Sequence, residues 1–152
     1  MVDTKVLTRE EIESRYHIAV ERYVKTLEIE HTTLLEMAST YVVPTLEKQM
    51  EQLGNAHAAM SAPALKKQHK ARIAEFENVF AAVLTAYEKF NTLVAKSHKI
   101  TDENKRMWNI VEELQPASFE LRAAIDQSEL LVSDDLWPLP KYREMLLAHN
   151  LA

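Results

Sequence analysis

The sequence predicts an all-α fold, an elongated antiparallel three-helix bundle with long kinked helices and a short C-terminal helix. Three observations carry that prediction. One glycine and five prolines in 152 residues leave too few tight turns for a sheet built of hairpins. Apolar residues recur at alternating steps of four and three through most of the chain, the period of helices packed lengthwise on other helices. Helix starts and stops are also spelled out by capping residues. The whole chain, 1–152, reads as a single helical domain.

Helix 1 is expected over about 9–53. Thr8-Arg9-Glu10-Glu11 is a capping box, in which the Thr8 hydroxyl and the Glu11 carboxylate satisfy each other's backbone amides. Leu7 and Ile12 flank it as a hydrophobic staple. Tyr16, Val20, Tyr23, Leu27, Glu30, Leu34, Met37 and Tyr41 form the seam, which at ~1.5 Å per residue belongs to a rod of roughly 65–70 Å. Pro44 should kink the rod rather than end it, because helix formers resume at once in Leu46-Glu47-Lys48-Gln49-Met50. Gly54, the one residue suited to positive φ, is the expected stop.

Ser61-Ala62-Pro63 announces helix 2, expected over about 63–99. Its stripe is His69, Ile73, Phe76, Phe80, Val83, Tyr87, Phe90 and Val94, with His98 and Lys99 at the negative end of the helix dipole. Thr101-Asp102-Glu103 caps helix 3, expected over about 102–132. Met107, Val111, Leu114, Ser118, Leu121, Ile125, Ser128 and Val132 line it, with Pro116 as a kink or short break. A tail, 133–152, begins with the polar stop Ser133-Asp134-Asp135 and the stiff segment Trp137-Pro138-Leu139-Pro140. Pro140 can open a last short helix. Trp137, Leu139, Tyr142 and Leu146 are expected to pack back onto the bundle, since exposing each forfeits ~1.5–3 kcal/mol.

Composition bounds the chemistry. With no cysteine there are no disulfides, thiol nucleophiles or cysteine-held zinc. A net charge of −5 disfavours general nucleic-acid binding. No run of ~18 apolar residues suggests a membrane span, and the first residues lack the pattern of a secretory signal, so a cytoplasmic protein is expected. A single glycine excludes a phosphate-cradling glycine loop, and no Gly-x-Ser-x-Gly elbow occurs.

The remaining polar groups read as structural. Glu28 and His31 have the Glu-x-x-His spacing of di-iron bundles, but the motif occurs once where such sites need it twice. Glu13, His17 and Glu21 read as a surface ladder. Lys66, Lys67, Lys70 and Arg72 are expected to pair across the hairpin with Glu47 and Glu51. Glu30 is the anomaly. A carboxylate on the seam between Leu27 and Leu34 needs a partner, and the antiparallel register sets Tyr87 level with it, near the break at Pro116. The expected structural polar pair is therefore Glu30 and Tyr87, with no catalytic, cofactor-binding or metal-ligating residue.

Two stretches carry a family pattern. One is Glu13-Ser-Arg-Tyr16-His-Ile-Ala-Val-Glu21-Arg-Tyr23-Val-Lys25-Thr-Leu-Glu-Ile-Glu30, continued by Met37-Ala-Ser-Thr-Tyr-Val-Val-Pro44. The other is Arg122-Ala-Ala-Ile-Asp126-Gln-Ser-Glu129, followed by Asp134-Asp-Leu-Trp137-Pro-Leu-Pro-Lys-Tyr142-Arg-Glu-Met-Leu146. From about Glu10 to Leu147 the chain resembles the C-terminal region of type III glutamine synthetases, the large bacterial form. The resemblance implies a piece of a much longer enzyme that joins ammonia to glutamate using ATP. ATP and magnesium or manganese would sit in a β-rich catalytic part that is not in this sequence. It further implies the rest of that enzyme and its homo-oligomer, built from hexameric rings, as partners, and a role in packing, assembly or regulation. Two other readings stand beside it. One is an independent helical protein-interaction module; the other, supported least, is a ferritin-like metal enzyme.

Overall fold

The computed structural model describes residues 7–141 and 144–146, and what it describes is all-α. The first rod runs unbroken over 9–59 in three parts: α1 (Arg9–Met37), a π-turn (Ala38–Val42) and α2 (Val43–Ala59). The capping box is formed as written, Thr8 N–H donating to Glu11 Oε2 at 2.8 Å and Glu11 N–H to Thr8 Oγ1 at 3.2 Å. After 60–62 the chain returns in α3 (Pro63–Ser97), whose first residue is the proline. Asp102 caps α4 (Glu103–Asn109) by accepting from Lys105 N–H at 2.9 Å. A second π-turn (Ile110–Leu114) then leads into α5 (Gln115–Glu129).

The two prolines are handled alike. Each sits two residues past a π-turn, whose wide hydrogen bond, Val43 N–H to Ala38 O and Gln115 N–H to Ile110 O, ends just before the ring. A proline offers no N–H and crowds the carbonyl four residues back; opening the turn by one residue relieves both problems. Thr40 and Ser39 hydroxyls donate to Glu36 O at 2.7 and 3.1 Å, occupying a carbonyl at the opened turn.

Gly54 does not stop the first rod, which continues to Ala59 and ends at an extended Met60 (φ −73°, ψ 140°). Pro63, which starts the next helix, accounts for the extended backbone of Ala62 just ahead of it (ψ 122°).

The core is shared by α2, α3, α5 and the inner half of α1. Phe76, Val83, Phe90 and Val94 of α3 are buried, with Ile73, Phe80 and Tyr87 half-buried beside them. From α5 come Ala117, Leu121 and Ile125, with Ile110 and Leu114 from the π-turn. The expected α3 stripe therefore matches the buried face. On helix 3 Ile110 takes the place foreseen for Val111, because the π-turn advances the face by one residue.

The seam of the first rod needs a larger correction. The buried row is Val20, Val24, Leu27, His31, Ala38, Val42, Leu46 and Leu53, while Tyr16, Tyr23 and Tyr41 are exposed. Two causes combine. At Tyr23 and Tyr41 the chain buries the neighbouring valine, Val24 and Val42, and leaves the hydroxyl-bearing tyrosine in water. Past Met37 the extra residue of the π-turn turns Val42 inward where an unbroken helix would present Tyr41.

Candidate interaction site

Glu30 faces solvent, and no hydrogen bond joins it to Tyr87, which lies half-buried on α3. The polar group that the seam buries is its neighbour. His31 is only 4% exposed and stands edge-on to Phe90, ring centroids 5.3 Å apart and planes at 86°. A neutral imidazole can enter an apolar site at far lower cost than a carboxylate, so the rod rotates to bury His31 and frees Glu30. Burial holds the His31 pKa below its ordinary value, with the Glu30 charge opposing that shift.

The other half of the lone Glu-x-x-His spacing is engaged elsewhere. Glu28 Oε1 accepts from Arg106 Nη1 at 2.8 Å, and Arg106 also donates from Nε to Ile100 O at 2.9 Å. One guanidinium thus ties the 98–102 connector to α1, in a largely buried pair. Tyr16 adds a second tie, its hydroxyl donating to Asn104 Oδ1 at 2.9 Å. Among the described residues no group of three or more His, Cys, Asp or Glu is placed to hold a metal ion, so the donor set does not fit a divalent-cation site. Nor do the basic residues of early α3 pair as expected: no ion pair links Lys66, Lys67, Lys70 or Arg72 to Glu47 or Glu51 among the described residues. These long exposed side chains gain too little from pairing to hold one geometry. Glu13 likewise pairs with Arg9 at 2.9 Å, not with His17.

Between α1 and α5 lies a groove of about 640 Å³, closed at one end by the tail. Leu34, Met37 and Ile125 form much of its floor, and Glu30, Asp126 and Glu129 stand around it with Arg122. The tail wall is held by α2. Gln49 Oε1 accepts from Ser133 N–H at 2.8 Å, Thr45 Oγ1 donates to Leu136 O at 3.4 Å, and Trp137 is buried to 8% exposure. Lys141 Nζ reaches Asp134 Oδ1 at 2.5 Å. Leu139 packs against the core as expected. Leu146 does not: it is 70% exposed. Tyr142 lies outside the described residues.

Thr45 and Gln49 are the residues that sequence reasoning missed. Both are buried polar side chains on the inward face of α2, and a threonine and glutamine four apart on a core face were the available signal. A second, shallower depression follows α1 towards its start, along Arg15, Ala19, Arg22 and Thr26. Neither groove brings a nucleophile to a base.

Residues 1–61, which take in α1 and α2, match the family model of the glutamine synthetase C-terminal domain. The type-3 glutamine synthetase of Dictyostelium discoideum is 27% identical over 154 residues, covering 95% of this chain and 20% of that protein. Along nearly its whole length the chain is similar to the C-terminal part of type-3 glutamine synthetase. The glutamine synthetase of Bacteroides fragilis is 21% identical over 96% of this chain and 21% of its own length. That of Butyrivibrio fibrisolvens is 25% identical over 94% and 21%. The chain therefore spans about a fifth of the length of these curated glutamine synthetases. No helix among the described residues is long and apolar enough to cross a membrane.

Proposed function

We propose that this chain is a non-catalytic helical domain that serves the packing and assembly of a type-3 glutamine synthetase in the cytoplasm. The observation that supports it best is the pairing of a glutamine synthetase likeness with open grooves and, among the described residues, no cluster placed to hold a metal ion. The parent reaction, ATP-driven ligation of ammonia to glutamate, would take place in the remainder of such an enzyme. ATP and magnesium or manganese would be bound there as well. The domain's partners are then the rest of that chain and its homo-oligomer, with neither nucleic acid nor membrane involved.

The test has two arms. The purified 152-residue chain should form no glutamine from glutamate, ammonia and ATP. In a full-length relative, deletion of the corresponding segment should lower the assembly mass while leaving residual catalysis in the smaller species. Glutamine formation by the isolated chain, or a deletion that leaves assembly intact, would overturn the reading.

A further inference from the structure

We infer that α1 carries a self-complementary face through which two copies of this chain associate antiparallel, about a two-fold axis at Thr26. The face is read directly from spacing. Arg15, Ala19, Arg22, Thr26, Glu30, Thr33 and Met37 step by four, three, four, four, three and four, so they share one side of the helix and the pattern is the same read either way from Thr26. In an isologous contact a residue meets the position equally far on the other side of the axis. Arg22 then meets Glu30 of the second copy, and Glu30 meets its Arg22. Ala19 meets Thr33, a small residue opposite a small one, so the two backbones can approach closely.

The flanks add apolar surface: the two-fold sets each flank against the same flank of the second copy, so Ile18 and Ile29 face their counterparts on one side of the seam and Tyr23 and Leu34 theirs on the other. These are side chains with little to do in the single chain: Ile18 is 62% exposed and Ile29 68%. Arg22 and Glu30 form no ion pair among the described residues. The shape agrees with the charge. The shallow depression along Arg22 and Thr26 and the deep groove along Glu30 and Met37 meet at Leu27, which lines both. They form one track along the helix, positive towards its start and acidic towards its middle, where Asp126 of α5 faces the same groove as Glu30. A second α1 laid antiparallel sets each basic half into the other copy's acidic half. Charge complementarity therefore selects a second copy, in one orientation, as the occupant.

The inference rests on the assembly role proposed above and names the surface of copy-to-copy contact. Failure here would leave the activity and deletion tests of that role untouched. The experiment is sedimentation of the 152-residue chain at rising concentration. The native chain should dimerise, and Arg22→Glu or Glu30→Arg alone should weaken the dimer by at least about tenfold, since each places like charges together twice. The double reversal, Arg22→Glu with Glu30→Arg, should restore it. Because the chain has no cysteine, Thr26→Cys offers an independent readout. Oxidation should link it to its own copy, while an exposed control, Glu51→Cys, should stay unlinked. A native chain that stays monomeric, a double reversal no tighter than the singles, or equal cross-linking at positions 26 and 51 would each overturn the two-fold face.

Discussion

At the scale of single residues, two positions show how little room the fold leaves for sentiment about residue type. Gly54 has the type expected of a helix stop and instead sits inside α2, where a Cβ would meet nothing within 4 Å. Gly54→Ala should therefore raise stability by ~0.5–1 kcal/mol, the helix-interior difference between the two, read as a higher urea midpoint with unchanged slope. His31 supplies the pH dependence. Its pKa is lowered by burial, so below the ordinary value of 6.5 the unfolded chain binds the proton more readily than the folded one. Stability should be whole above that pH and fall as the pH drops from there towards the lowered folded value. His31→Leu, which needs no proton against Phe90, should flatten the profile in that window; an unchanged slope would mean another group is responsible.

At the scale of elements, the π-turns and the tail clasp are the parts that join regular helices into a whole. The turn at Ala38–Val42 is one residue inserted ahead of Pro44. Removing Thr40 together with Pro44→Ala should close it to ordinary helix and keep both buried stripes aligned, so unfolding stays cooperative. Removing Leu35 instead rotates everything after it by ~100° relative to α1 and should abolish cooperative melting. The tail depends on α2. Gln49→Ala leaves the Ser133 N–H without its acceptor at a cost of ~1–3 kcal/mol, and Trp137→Ala should cost ~3–5 kcal/mol. Leu146→Ala, at an exposed position, should move the melting temperature hardly at all. Thermal melts of the three variants side by side check that ranking.

At the scale of the whole molecule, the legible part is what local rules control. Capping residues, prolines and the four-three stripe on α3 and α5 were enough to expect an all-α chain and most of its helix boundaries. Phe76, Val83, Phe90, Leu121 and Ile125 stand on the faces that the stripe marks. The groove was not legible, because it exists only where α1 and α5 lie apart with the tail between them. The family likeness was legible in the Trp137–Leu146 block and in the first rod.

By itself, then, the sequence determined the class of structure, the starts of its helices and its likeness to glutamine synthetases. These depend on interactions within a few residues, or on residue identity alone. Which side of the first rod faces inward was decided by tertiary structure. Along α1, neighbouring positions offered two nearly equivalent seams, one through Tyr23 and Glu30 and the other through Val24 and His31. The α3 surface chose the second, because Phe90 can accept an imidazole edge while a carboxylate buried there would lose its water without a partner. That choice put Glu30 outside, on the exposed face of α1 that also carries Arg22.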